Sequence, residues 1–282
     1  MLSRRHLLTA VGVGVLAAGC GRDSRPTLQR ITQDGSVRIG VSNEMPFSYL
    51  DSNGEATGES PEVARAVLAG IGVHTLQSVQ RPFDQLIPGL TEGLFDIVAA
   101  AMQISPDRCG TVVFSEPDLL TPTGLLVQHD NPLRLRNFAD VRRAGVSIVV
   151  MAGGVEEMLA TGAGVPADRI EKVEFPDDLY QAVAEQRAPV GSLTDISLRD
   201  IMRRHPASPL EVVRVSGRTA PRIPAAGFAF RREDTALRDA FNAGLTRLRA
   251  SGDWLRVTAP FGVTASDIPP ADLTTEALCR AI

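Results

Sequence analysis

The 282-residue chain is poor in the residues that hold metals: it has three cysteines and four histidines, and His6, His74, His129 and His205 fall at no spacing that gathers them with the cysteines. A zinc centre is therefore not expected, and nothing in the sequence calls for another cofactor. Positive charge is not in excess either. The formal net charge is −4 and the pI near 5.6, so the basic field that nucleic-acid binders use is missing. No apolar run is long enough to span a bilayer with ease, and there is no internal repeat or low-complexity segment. What is present is ordinary globular composition, 44% hydrophobic and 22% charged, in a chain long enough for two domains or one large one.

The amino terminus, "MLSRRHLLTAVGVGVLAAGC", has a basic start, a short apolar stretch and small residues leading to Cys20. It resembles a bacterial lipoprotein signal peptide, in which cleavage before the cysteine leaves a thioether-lipidated residue. Ala17 stands where that motif usually has leucine. "SRRHLL" also resembles a twin-arginine export signal, so the general secretory and twin-arginine routes both stay open; an uncleaved membrane helix is disfavoured by the shortness of the run. The expectation is a signal peptide over residues 1–19 and a polar tether over 20–35 lipidated at Cys20. The mature protein would then lie outside the cytoplasm, anchored to the cell membrane. After Cys20 only Cys109 and Cys279 remain. In an oxidising compartment such a pair invites a disulfide, the alternative being two buried thiols.

Short β-branched runs alternate with amphipathic helical patterns. Strands are expected at Val37–Ser42, Val73–Val79, Phe95–Ala101, Gly124–Gln128, Val146–Met151, Ile170–Phe175, Glu211–Ser216 and Gly227–Arg231, with helices such as Pro61–Ala69, Phe83–Glu92, Val155–Ala160, Asp177–Gln186 and Leu198–Arg204 between them. That alternation predicts an α/β fold with largely parallel sheets. The series restarts at Phe138 and closes near Pro224, after which Leu237, Phe241, Leu245 and Leu248 line one face of a long helix. A chain that leaves one lobe and returns to it accounts for this: first lobe 36–126, second lobe 127–225, return 226–282. The hinge is expected at Leu126–His129 and Arg222–Gly227. Ligands in such folds sit at strand carboxyl ends, in the crevice between lobes.

The first of those strand ends carries an acid and aromatic rings, in "NEMPFSYLDSNGEATGESPEVARAV". Ser60 is expected to cap the helix that follows, with Pro61 in its first turn. Glu44 and Phe47 on this loop, with Phe83 and the segment after Ala101, would share one wall of a cleft. Each has a plainer reading. Glu44 could cap or solvate a turn, Phe47 and Phe83 could be core, Arg108 could be a surface partner of Asp107 or Glu116, and Asp195 could be the N-cap of the helix "ISLRDIM". Tyr49 is left open.

"VRIGVSNEMPFSYLDSNGEATGESPEVARAV", "LIPGLTEGLFDIVAAAMQISPDRCGTVVFSEP" and "GFAFRREDTALRDAFNAGLTRLRASGDWLRVTAPFG" together resemble the extracellular solute-binding proteins of ABC importers for polar amino acids. More narrowly they resemble the ectoine and hydroxyectoine binders of that group, which also carry a cysteine after the "PxR" arginine and another near the C-terminus. The resemblance implies a type II periplasmic-binding-protein fold, each lobe a mostly parallel sheet flanked by helices. It implies a binding protein, not an enzyme, that works as a monomer and delivers a small zwitterion to an ABC permease. It also assigns roles. Arg108 would hold the ligand carboxylate in its guanidinium fork, with Ser105 capping the short helix and sharing that carboxylate. Glu44 would face the cationic end, and Phe47 and Phe83 would wall it with ring faces.

The sequence also departs from that pattern. The third aromatic wall of the ectoine binders falls on Gln103, whose amide, if buried without a partner, would ask for a ligand with an extra polar group. The aspartate that amino-acid binders use for an α-ammonium falls near Ala188 or Pro189, and Asp195 is the candidate to replace it; the turn usually read "G-T-x-E" appears as "GGVE", Gly153–Glu156, without its hydroxyl donor, and Glu156 and Thr194 are expected as further ligand contacts from the second lobe. Two other readings are carried. In one the same cleft is a dehydratase acting on a cyclic amino acid, with Glu44 or Glu156 as general acid. In the other the closed protein signals to a receptor kinase.

Overall fold

The computed structural model describes residues 25–216 and 224–280. The expected signal peptide, Cys20, and Arg222 and Ile223 of the expected hinge lie outside the described residues. Two sheets form the body, and the chain crosses between them twice. The first has strands in the order Thr75–Gln80, Ser36–Val41, Ile97–Gln103, Ala225–Phe230 and Val113–Phe114, with Leu119–Leu120 also paired to Ala225–Phe230. Its first three strands are parallel, and Ala225–Phe230, reached after the whole second lobe, runs antiparallel to them. The second sheet runs Ile170–Val173, Ile148–Met151, Val190–Thr194, Thr123–Gln128 and Leu210–Arg214, again three parallel strands followed by two antiparallel pairings. Strands covered on both faces have no exposed side, as Ile148–Met151, Val190–Thr194 and Ala225–Phe230, buried at every position, show.

The helix Thr235–Ala250 packs back on the first lobe, with Leu237, Phe241 and Leu245 buried; Phe241 meets Phe228 and Phe230 with ring centroids 4.5 and 5.5 Å apart. These edge-biased ring pairs tie the returning helix to the strand that precedes it. Cys109 and Cys279 are joined in a disulfide, their Cα atoms 5.7 Å apart, which pins the terminal helix Thr275–Arg280 to the short helix Pro106–Cys109.

The structure corrects four expectations. Strand Thr123–Gln128 lies wholly in the second sheet, so the first crossing is at 121–122 and not at 126. Pro122 separates the two strands there, and Thr121 N–H donates to the Pro224 carbonyl at 2.8 Å where the two crossing segments meet. The central strand Val190–Thr194 was not among the expected strands. The tether is shorter than 20–35, since Thr27–Asp34 is a helix whose Ile31 is fully buried and whose Arg30 meets Asp96 at 2.7 Å. Finally, the helix expected to start at Pro61 spans Glu59–Ala69. The residue before it is Gly58 at φ +117°, where a Cβ would lie 2.5 Å from the Phe47 carbonyl oxygen, so only glycine fits. Ser60 is therefore inside the first turn and does not cap it.

Candidate functional site

The first wall of the cleft is built by the amino end of that helix. Glu59 and Ser60 N–H groups donate to the carbonyls of Pro46 and Phe47, both at 3.0 Å, drawing the loop against the helix start. Within the loop, Glu44 and Ser48 exchange backbone hydrogen bonds of 2.9 Å, and the Ser48 hydroxyl accepts from Ser42 N–H. The loop thus holds Glu44 and Phe47 at the carboxyl end of strand Ser36–Val41 with both side chains buried. Strand Ile97–Gln103 contributes Ala101 and Gln103, and the turn after it the short helix that carries Arg108.

The second lobe closes over this wall. A cavity of about 20 Å³, room for no more than a water, is lined from the first lobe by Glu44, Phe47, Phe83, Ala101, Gln103 and Arg108. From the second come Met151, Gly154, Val155, Glu156, Leu193 and Thr194. Contacts across the cleft are direct. The Ser197 hydroxyl donates to Glu44 Oε1 at 2.7 Å, and Arg108 Nη2 donates to the Gly153 carbonyl at 2.8 Å. Arg108 Nη1 donates to the Gln103 carbonyl at 2.7 Å, and its guanidinium carbon lies 5.4 Å from the centre of the Phe83 ring. Phe83 is therefore a platform for Arg108 as well as a wall.

The charges oppose each other across this small space. Burial pushes the Glu44 carboxyl up to about 7, against the lowering effects of the Ser197 hydrogen bond and the Arg108 charge. Burial likewise raises Glu156 to about 7, helped by the Glu44 charge and opposed by Arg108 and by the Thr123 hydroxyl. Desolvation pulls Arg108 down to about 10, opposed by the two carboxylates. Two acids and one guanidinium in a desolvated cavity are complementary to a solute carrying both an anion and a cation.

Several expected site residues are placed otherwise. Ser105 sits at the N-cap position of the short helix, but its side chain makes no cap bond and does not line the cavity. Asp195 is turned away, paired with Arg214 at 2.7 Å and Arg199 at 3.1 Å, and the N-cap is Thr194, whose side chain accepts from Ser197 N–H. Ala188 is buried before the start of strand Val190–Thr194, at the end opposite the cleft, so no acid there could reach a ligand. The Gln103 amide is not short of a partner: Nε2 donates to the Thr121 carbonyl at 3.1 Å, which ties the wall to the first crossing segment. The demand it seemed to place on the ligand disappears. Tyr49 lies outside the cavity, beside Arg199 and Asp200. Leu193 was missed because its strand was missed, and Ser197 because the helix that carries it, Asp195–Arg204, was expected to start at Leu198.

This arrangement can be set beside known proteins. The model of the bacterial extracellular solute-binding proteins, family 3, matches residues 37–263. The chain belongs to that family. Over 260 residues it is 33% identical to the "Probable amino-acid ABC transporter periplasmic-binding protein y4tE" of Sinorhizobium fredii, a match covering 90% of this chain and 86% of that one. It is similar to EhuB, solved in complex with hydroxyectoine, with a TM-score of 0.84 and 32% identity over 90% of this chain and 98% of that one. It is also similar to the ancestral amino acid-binding protein AncCDT-1, a precursor of cyclohexadienyl dehydratase, with a TM-score of 0.73 and 28% identity over 83% and 99%. The fold is the type II periplasmic-binding-protein fold, and the chain is a solute-binding protein of the amino-acid ABC transporter type. Among the described residues no helix is long and apolar enough to cross a membrane.

Proposed function

We propose that this family 3 protein captures a small zwitterion of the ectoine and hydroxyectoine class by closing its two lobes, and that, lipid-anchored at Cys20, it hands that solute to an ABC permease. The single observation that carries the reading is the opposition of Arg108 to Glu44 and Glu156 across one cavity whose apolar wall includes Phe47 and Phe83. A carboxylate matches the guanidinium fork of Arg108, which has five N–H donors of which two meet the Gln103 and Gly153 carbonyls. A delocalised cation matches the two acids and the ring face of Phe47 better than a compact ammonium does, because a spread charge loses less hydration on entering an apolar-walled site. The similarity to EhuB supports the ligand class.

Closure is the work of such a protein, and no bond need be made or broken. Phe83 and Arg108 ride on the first lobe and Glu156 and Thr194 on the second, so the site is complete only when the lobes meet; the space between them here has room for no more than a water, so a bound solute keeps the lobes parted further than they are here. The mature protein, screened by thermal shift against ectoine, hydroxyectoine, betaines and polar amino acids, should show its largest midpoint rise with an ectoine, rising further with ligand concentration. Recovery of the bound solute unchanged after prolonged incubation separates transport from a dehydratase. A screen in which only α-amino acids raise the midpoint would overturn the ligand class.

A further inference from the structure

Behind the ligand wall lies a pair of acids that the reading above does not use. Glu59, the first residue of the helix Glu59–Ala69, is fully buried, and Asp118, on the loop before Leu119–Leu120, is 2% exposed. Burial leaves both carboxyl groups above the ordinary carboxyl value, and a side-chain hydrogen bond joins them, raising Glu59 and lowering Asp118. Glu59 Oε2 accepts from the Ser60 hydroxyl at 2.7 Å, while Glu59 Oε1 is buried with no donor from any described group. Asp118 Oδ1 accepts from Trp254 Nε1 at 2.8 Å. The charged group packed against the pair is Arg249 of the returning helix, whose Nη2 donates to the Asp118 carbonyl at 2.8 Å and stands 3.7 Å from Asp118 Oδ1. Ser60 reaches the other way too: its oxygen accepts from the Ala101 N–H at 2.8 Å. Ala101 lines the ligand cavity and sits at φ +44°, a conformation an L side chain adopts at a cost and keeps only when its surroundings impose it.

We propose that Glu59 and Asp118 share one proton, and that this pair, acting through Ser60, is the support that holds the Ala101 backbone in the ligand wall. Ser60, Glu59 and Asp118 are then positioning residues for the ligand. A proton between the carboxyl groups supplies the partner that Glu59 Oε1 otherwise lacks, and leaves one negative charge for Arg249 and Trp254 to meet. With Oε2 of Glu59 accepting from Ser60, the serine hydroxyl is oriented so that its lone pairs face Ala101 N–H. Removing the Ser60 oxygen frees that N–H and removes what imposes the strained angle. Burial raises both acids; the Asp118 charge and hydrogen bond push Glu59 further, well above the ordinary carboxyl range, while the same bond from Glu59 lowers Asp118, which agrees with a proton retained on the Glu59 side of the pair.

Placing Ala101 against a ligand rests on the proposed function, so the test reads the support with and without one. In the ligand-free protein, Ser60→Ala should lose amide hydrogen-exchange protection at Ala101 while core amides of strand Ser36–Val41 keep theirs, and Ser60→Thr, which keeps the hydroxyl, should restore it. An infrared difference between wild type and Glu59→Gln, taken at alkaline pH where Glu44 and Glu156 are ionised, should show a protonated-carboxyl band that the variant lacks. With hydroxyectoine as probe, Ser60→Ala should bind about tenfold more weakly than wild type and Ser60→Thr close to it. Equal protection at Ala101 in wild type and Ser60→Ala, or no carboxyl band in the wild type, overturns the proposal. If wild type does not bind hydroxyectoine, the ligand reading has failed, and the exchange and infrared results still decide the support.

Discussion

Gly153 offers a way to obstruct closure without touching the ligand. It lies at φ +71° in the turn before the second-lobe helix Val155–Gly162, and a Cβ built on it would stand 2.8 Å from the Cβ and 2.9 Å from the Cα of Asp84 in the first lobe. The near atom includes backbone, which cannot rotate aside, and the overlap exists only when the lobes meet. Gly153→Ala therefore has two separable costs. The positive φ is present whether the lobes are open or closed and destabilises the fold by about 1 kcal/mol, a midpoint fall of roughly 2 to 4 °C for a chain of this size. The overlap acts on the closed state alone, at about 1 to 3 kcal/mol if the lobes shift to relieve it, and also disturbs the Arg108 bond to the Gly153 carbonyl. Affinity should fall about 5- to 100-fold. Calorimetric titration with hydroxyectoine, beside thermal unfolding of the ligand-free protein, reads both. Gly162→Ala is the control, since a Cβ there meets nothing within 4 Å and φ is not positive. Unchanged affinity in Gly153→Ala would refute the closed geometry that brings Asp84 against this turn.

Arg108→Ala should leave the fold intact and weaken ligand binding by on the order of 2 to 5 kcal/mol, a hundredfold or more by calorimetry, because it strips a charge-assisted fork from a carboxylate. Free-thiol labelling of the unreduced, denatured mature protein should find no reactive thiol at Cys109 or Cys279, and replacing both by serine should cost roughly 3 to 5 kcal/mol of unfolding free energy, since 170 residues separate them. Gln103→Leu should lower stability by about 1 kcal/mol in denaturant unfolding, by leaving the Thr121 carbonyl without its donor. Glu44 and Glu156 bind protons more tightly in the closed fold, with values raised from 4.5 to about 7, than in the unfolded chain. Their contribution to ligand-free stability is therefore full below pH about 4.5 and lost as pH rises through about 7. Melting curves across that window should slope downward in the wild type and flatten in the Glu44→Gln, Glu156→Gln double variant.

Much of this was legible in the residues and some was not, for physical reasons. The first lobe announced itself because its strands are runs of β-branched residues and its site loop joins an acid to aromatic residues. Arg108 stood out because a guanidinium placed one turn past a strand end suits an anion. The strand Val190–Thr194 did not announce itself. Pro189 precedes it and Gly191 and Ser192 lie within it, residues of low strand propensity, and a central strand is stabilised by the strands around it more than by its own propensity. With that strand unseen, Thr194 and Asp195 could not be told apart, although one caps a helix at the cavity and the other pairs with two arginines. The crossing was misplaced by a few residues for a similar reason: a leucine pair lies on each side of Pro122, and only pairing reveals which sheet each half joins. Ser60 looked like a helix cap because serine before proline so often is one; here Gly58, forced by the approach of the Phe47 carbonyl, takes that place.

The claim that a zwitterion is held between Arg108 and the two acids is tested most directly by a crystal structure of the mature protein with hydroxyectoine. The account predicts the ligand between closed lobes, its carboxylate on the Arg108 guanidinium, its cationic ring against Phe47, and Glu44 or Glu156 within hydrogen-bond distance of the ring nitrogens. A ligand bound outside this cavity, or one whose carboxylate turns away from Arg108, would contradict it.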